Sequence, residues 1–392
     1  MLASAVRRVA PVILSKNAEE TREILSVMLE RSPSVGVVQT PDQKLKSEVD
    51  TICKRRVKDE EKNLSWWLDQ SDPYSLFRAD DRSRMPGHED VIQRVQSVIR
   101  KNFGASYSVT TFGSVRYGAA SAKSDMDLMI FDPKRIGGFA PSKKRLPRIY
   151  HVKSLAGTLK HAGFASVEAV PASVPIVKFR DPKSGIRCDL NVNHQPGYWN
   201  SIMIGRYATL SPHLPRLMLA IKRWSRPIGL NNPSPSKRLA ITFSSYAFAL
   251  MTIGFLQHRG LLPNLQENLG EDIRDRYFWN LKPEFHCDMR FKWHVPFIPA
   301  NREVSTPSLF NDWFHFWANF EPDKQMVDIC QGGIVPREGG ENRPLCVKDP
   351  FIRVRNVTMN ISREVFERLQ EECQDASAEL RKRSAEGGYV IM

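Results

Sequence analysis

The chain lacks the spacings that mark zinc sites. Its six cysteines (Cys53, Cys188, Cys287, Cys330, Cys346 and Cys373) stand far apart, and none forms C-x-x-C. That excludes a cysteine-built zinc module and suits buried thiols in a reducing compartment. No secretory signal, internal repeat or low-complexity tract is evident. Long uncharged runs are scarce. One, Ile241 to Gln257, is free of charge but holds Thr242, Ser244, Ser245, Tyr246 and Thr252. It falls at the lower limit for spanning a bilayer and is read as a buried helix, so no membrane partner is expected. Acid is absent from the first eighteen residues, which carry Arg7, Arg8 and Lys16. That end is read as a basic extension. A mitochondrial presequence has the same composition, so cytoplasm, nucleus and mitochondrion all stay open. Acid is short overall as well: 57 Lys and Arg against 43 Asp and Glu give +14. A polyanionic partner follows, either nucleic acid or an anionic membrane surface.

What is present is concentrated in Phe112 to Phe131, FGSVRYGAASAKSDMDLMIF. Gly113 and Ser114 can offer backbone N–H groups and a hydroxyl to a triphosphate. MDLMIF is apolar, short and ended by Asp132-Pro133, the pattern of a β-strand. Side chains two apart on a strand share a face. Asp125 and Asp127 therefore point one way, and Met126, Leu128 and Ile130 point to the core. Two such carboxylates repel unless a cation neutralises them, and hard oxygen donors suit Mg²⁺. A polar strand edge would carry the same Asp-x-Asp; the preceding Gly-Ser favours phosphate chemistry.

Along the chain, His88 to Asn102 has helical spacing, and Ser106 to Phe112 alternates as a strand. A basic loop, Lys134 to Arg148, follows the Asp-x-Asp strand. A helix then carries Ile149, Val152, Leu155 and Leu159 and ends at Gly163. Val174 to Arg180 and Ile186 to Val192 form a hairpin around Asp-Pro-Lys-Ser-Gly. Asp189 lies in the middle of the second strand, where a carboxylate is costly unless paired or metal-bound. It is the natural third carboxylate. Beyond Ser201 the pattern is helical: a stripe through Leu214, Leu217, Met218 and Ile221, then roughly Ile241 to His258, Leu309 to Asn319 and Arg363 to Arg383. The Phe310, Trp313, Phe314 and Trp317 stripe is read as core. The chain is thus a small α/β unit between helical segments.

The Gly-Ser and Asp-x-Asp, then Asp189, RLMLAIKRWSRPIGLNN, ITFSSYAFALMTIGFLQ with LLPNLQ, and CVKDPF occur in one order. Together they resemble the template-independent RNA nucleotidyltransferases of the DNA polymerase β-like superfamily. The similarity is to the non-nuclear-type poly(A) polymerases and terminal uridylyltransferases, and it runs from about Trp66 to Asn356. The resemblance implies an α+β fold: a small mixed β-sheet palm plus a mainly helical PAP-associated domain, with the active site in the cleft between them. The expected divisions are an N-terminal extension at 1–44, a helical segment at 45–85 and the palm at 86–198. The helical domain follows at 199–362 and a charged helix and tail at 363–392.

The resemblance also implies roles. Asp125, Asp127 and Asp189 would be the catalytic, metal-holding carboxylates, with Mg²⁺ or Mn²⁺. Gly113 and Ser114 would contact the triphosphate, Asn200 the ribose, and Lys222 and Arg226 the phosphates. Ser245 and Tyr246 match an S-S-Y element whose hydroxyl meets phosphate and whose ring stacks on the base. Asp349 lies in the D-P-F base-recognition loop. Arg355 stands where uridylyl enzymes have His. Arginine donates hydrogen bonds but accepts none, so it can meet O4 of uracil or N7 of adenine. The implied reaction is adenylyl addition from ATP to RNA 3′ ends, with uridylyl addition from UTP the alternative. An inactive RNA-binding or scaffold relative is the reading from another class. No RNA-recognition motif, KH signature or zinc knuckle is present. RNA binding would then rest on the basic loops Lys134–Arg148 and Arg216–Arg238 or on an RNA-binding partner protein, with a monomer favoured.

Overall fold

The structure is a computed structural model. It describes residues 87–120, 124–139, 145–172, 174–233, 240–270, 277–281, 284–297, 299, 304–337, 339 and 342–385. The expectations for 1–44, 45–85 and the basic N-terminus lie outside these residues, as does Cys53.

Helix α1 (His88–Phe103) buries Val91, Val95 and Ile99, the spacing of one helical face. Strands β1 (Ser108–Phe112) and β2 (Met126–Phe131) pair antiparallel. Helix α2 (Val152–His161) follows, its first turn capped by the His151 ring, which accepts from Ser154 N. Strands β3 (Ala165–Val170), β4 (Ile176–Arg180) and β5 (Arg187–Val192) complete a five-stranded sheet. The order is β1-β2-β5-β4-β3, and β2 and β5 run parallel. The hairpin strand begins at Ile176 rather than Val174. Strand β3 gave no sequence signal because it is an edge strand of mixed exposure. Met126, Leu128, Ile130, Cys188 and Leu190 are fully buried beneath α1 and α2.

A second core is mainly helical. It holds α3 (Gln195–Leu210), α4 (His213–Ser225), α5 (Ser245–His258), α6 (Thr306–Ala318) and α7 (Arg363–Ala385). Helix α5 is buried nearly all round, which accounts for its uncharged sequence. Among the described residues no helix is long and apolar enough to cross a membrane. The helix begins at Ser245, not Ile241. Thr242 N and Phe243 N bond Asn232 O and Leu230 O, which holds that stretch extended, and Ser244 then caps Ala247 N. Phe310, Trp313, Phe314 and Trp317 lie in the core, and α7 packs on α6 through Val365, Phe366, Leu369 and Cys373. Two hairpins were unforeseen: β6 (Tyr277–Leu281) with β7 (Glu284–Asp288), and β8 (Gln325–Asp328) with β9 (Gly333–Pro336). They are short and flanked by polar loops, so their alternation is weak.

Candidate active site

Parallel pairing of β2 with β5 sets Asp127 directly against Asp189. Asp125 precedes β2 by one residue and shares that face. Burial first, then the charges of Asp189 and Asp125, push the Asp127 carboxyl up to about 7. Burial also raises Asp189, against the opposing pull of Lys178, whose Nζ lies 3.2 Å from Asp189 Oδ2. Arg187 Nε lies 2.6 Å from Asp125 Oδ1. That oxygen is enclosed and makes no hydrogen bond of normal geometry, so the contact is one of charge.

The Gly-Ser turn closes over these carboxylates. Gly113 has φ +69°, and a Cβ there would lie 2.1 Å from Asp127 Oδ2. Only glycine permits both the backbone angle and the approach. Gly113 N donates to Ser201 Oγ at 2.7 Å, and Ser201 Oγ donates to Gly197 O at 2.9 Å. Helix α3 thereby fixes the turn from behind.

Opposite stands a buried ammonium. Lys222 Nζ donates to Ser124 Oγ at 2.9 Å and to Ala119 O at 3.4 Å. Burial, then the neighbouring Arg226, lowers its pKa to about 8. Arg226 is the C-cap of α4 and retains helical angles, so the pair stays one turn apart. The expected basic loop from Arg216 is therefore corrected: residues up to Ser225 are helix, and 234–239 lie outside the described residues.

At the other end Asp349 is almost wholly buried. Its Oδ1 accepts from Phe351 N and Ile352 N at 3.0 and 2.9 Å. Its Oδ2 accepts from Tyr246 Oη at 3.3 Å and lies 3.8 Å from Arg355 Nη1. Asp349 thus organises its own loop and also holds the Tyr246 hydroxyl. Ser245 Oγ donates to Asn231 Oδ1 at 3.2 Å. Like Asp125 Oδ1, the enclosed atoms Asn200 Oδ1 and His194 Nε2 make no hydrogen bond. Burial and Arg355 lower His194 to about 4, so the ring is neutral.

One cavity of about 410 Å³ is lined by Gly113, Ser114, Asp125, Asp127, Asp189, Asn200, Lys222, Arg226, Ser245, Tyr246, Asp349 and Arg355. Every residue named from sequence is therefore brought together. Sequence reasoning missed Tyr117, Ser124 and Ser201, which also line the cavity. It missed Lys178 and Arg187 as partners of the carboxylates. The hairpin carried the signal for Lys178, since its register places Lys178 across from Asp189.

Among the described residues no three His, Cys, Asp or Glu side chains are drawn together closely enough to ligate an ion. The donor chemistry nevertheless fits a divalent metal. Three hard carboxylates share one face, and the raised Asp127 carboxyl reports repulsion that a dication relieves.

Residues 79–209 match the family described as "Poly(A) RNA polymerase, mitochondrial-like, central palm domain". The Danio rerio poly(A) RNA polymerase GLD2 is 28% identical over 291 residues, 72% of this chain and 55% of that protein. The Homo sapiens GLD2 is 28% identical over 252 residues, 61% of this chain and 49% of that protein. The family match thus covers the palm, about a third of the chain, and the similarity to poly(A) RNA polymerases extends over 72% of it. It spans about half the length of the curated relatives it matches. The structure of mtPAP in complex with ATPγS has TM-score 0.61 at 21% identity, covering 76% of this chain and 65% of that one. A cytoplasmic RNA terminal U-transferase has TM-score 0.61 at 22% identity, covering 80% and 91%. At such identities these structures show a shared fold, a small mixed sheet with a mainly helical domain.

Proposed function

We propose that the chain adds nucleotides, chiefly AMP from ATP, to the 3′-hydroxyl of RNA without a template. One observation carries this reading: a carboxylate face on β2 and β5 confronts Lys222 and Arg226 across a single cavity. Transfer needs an acceptor hydroxyl deprotonated at one end and a triphosphate neutralised at the other. Asp125, Asp127 and Asp189 would hold Mg²⁺ or Mn²⁺, which when bound lowers the acceptor's pKa and offsets charge on the leaving pyrophosphate.

The chain's own residues supply the rest. Lys222 and Arg226 face the triphosphate with charge that buried surroundings strengthen. The Gly113 turn holds its backbone against the carboxylates, so the nucleotide's phosphates meet a fixed wall. Asn200 Oδ1 offers an acceptor to a ribose hydroxyl, and the Tyr246 ring a face for the base. Uridylyl addition is the second reading, since the Arg355 guanidinium supplies only donors and O4 of uracil accepts as readily as N7 of adenine.

The test is extension of a labelled RNA with each nucleoside triphosphate alone. ATP is expected to give the fastest extension. Preference for UTP overturns the choice of base. No extension with any nucleotide in the presence of Mg²⁺ or Mn²⁺ overturns the transfer reading.

A further inference from the structure

The β6–β7 hairpin is amphipathic in an unusual way. Its inner face is buried: Phe278 and Cys287 are fully enclosed, and Asn280 lies on the same side. Its outer face is aromatic. In register Tyr277 faces Asp288 and Trp279 faces His286, so all four share one side. Tyr277 stacks on His286 with centroids 4.7 Å apart and planes 15° apart, and Trp279 lies 5.0 Å from the same ring. The Arg290 guanidinium sits 4.9 Å above Tyr277 and forms a bidentate pair with Asp288, which offsets one of the two acids, Glu284 and Asp288, that the register places on this side. Trp279 is 39% exposed, one of three large apolar residues left open among the described residues.

This ladder is seated on the palm. Phe139 N donates to Trp279 O at 2.9 Å, and Trp279 N donates to Gly137 O at 3.0 Å. A side chain at Gly138 would collide with the Trp279 backbone, so the contact requires glycine. The described palm residues 134–139 and 145–151 carry four cations, Lys134, Arg135, Arg145 and Arg148, and no Asp or Glu, with Arg135 paired to Asp132 just before them. Arg135 also lies over the Tyr150 ring, which packs edge-on to Phe139. The fold therefore joins an exposed aromatic ladder to the basic segment of the palm. Aromatic faces beside a cationic track are what hold single strands: the faces stack on bases and the cations meet phosphates.

We infer that the outer face of this hairpin, with Trp279 at its centre, binds single-stranded RNA upstream of the 3′ end. The inference rests on the transfer reading for its substrate. The surface is joined to the palm past Phe131, the end of β2 distal to Asp127 and about 13 Å from it at about 3.3 Å per residue. It meets RNA that has already left the cavity. Charge favours RNA over a protein partner, because the aromatic face adjoins palm residues that include Lys134, Arg145 and Arg148 and no Asp or Glu.

The test measures binding of a fluorescent single-stranded RNA of about 15 nucleotides, within the usual site size of such surfaces, without nucleotide. Trp279→Ala is expected to weaken binding about tenfold, and Trp279→Phe to retain most of it. His286→Ala is expected to weaken it less. Extension of the shortest acceptor the chain accepts is expected to be unchanged in Trp279→Ala. Equal RNA affinity of wild type and Trp279→Ala overturns the surface, whatever the extension activity. Loss of a co-purifying protein with RNA affinity intact overturns it in favour of a protein interface. A chain that binds RNA through Trp279 but extends it with no nucleotide supports the surface and overturns the transfer reading instead.

Discussion

Replacing Lys222 by Met should make the protein more stable and nearly inactive. Lys222 is only 7% exposed, and its ammonium is lowered from 10.5 to about 8, chiefly by burial. A gap of that size corresponds to about 3 kcal/mol against the folded state. Between pH 8 and 10.5 the unfolded chain holds the extra proton, so this penalty is complete below pH 8 and fades as pH rises to 10.5. Methionine has a similar shape and no charge. It forfeits hydrogen bonds to Ser124 Oγ and Ala119 O, worth about 1 kcal/mol together when one is long. The net gain at pH 7 is about 2 kcal/mol, a rise of a few degrees in melting temperature. The assay is denaturant unfolding of both proteins at pH 7 and 9.5, with nucleotide and divalent ions absent. The stability difference should shrink by more than half at the higher pH. The variant should also lose most nucleotide transfer, since a buried charge facing the triphosphate is gone. A variant less stable than wild type at pH 7 refutes the reasoning: Asp127 and Asp125 would then more than compensate the buried ammonium.

Asp127→Asn should reduce RNA extension at least about a thousandfold, measured by single-turnover gel assay, because the proposed metal contributes several kcal/mol to the transition state. Chelation with EDTA should abolish extension and added Mg²⁺ should restore it, with a thermal shift on Mg²⁺ addition that Asp127→Asn lacks. Gly113→Ala should fold but lose about a hundredfold in transfer, since the new methyl displaces the Asp127 carboxylate. A rate near wild type for that variant would show that the turn can move away without cost.

The legible parts of this molecule are those where chemistry and strand period coincide. Asp125 and Asp127 are two apart, so one strand suffices to orient them. Asp189 was legible because a lone carboxylate in an apolar strand demands a partner. Their meeting, however, depends on β2 and β5 running parallel as neighbours, and no local pattern encodes which strands pair. Lys222 was legible as a basic residue at a helix end, but its burial was not. Its ammonium is held by Ala119 O and Ser124 Oγ, about a hundred residues away in sequence. The bond from the Tyr246 hydroxyl to Asp349 was not legible, because the loop at 349–355 returns beside α5 across about a hundred residues of chain. Motif order identifies what the site contains; the long-range register decides which of those groups are already committed to one another.

That distinction bears on how the base is read. Asp349 spends both oxygens on Phe351 N, Ile352 N and Tyr246, so it is a holder of the loop. The groups at that end with enclosed, unpaired polar atoms are Asn200 Oδ1 and His194 Nε2. A buried unpaired atom costs more than an exposed one, and a ligand that pairs it recovers that cost. His194 is neutral across the working range, held low by burial and by Arg355, so its ring can accept at one nitrogen while donating at the other. Arg355 can only donate. On the proposed reading, discrimination between adenine and uracil would depend on the pair, with Arg355 supplying donors and His194 able to supply either. His194→Asn, which also offers both donor and acceptor, should keep the ratio of ATP to UTP use within a few-fold. Arg355→His should shift that ratio toward UTP by about tenfold, the worth of one well-placed hydrogen bond to a charged group. Competition between the two nucleotides on one labelled RNA measures both. An unchanged ratio in Arg355→His would remove this end of the cavity from base selection.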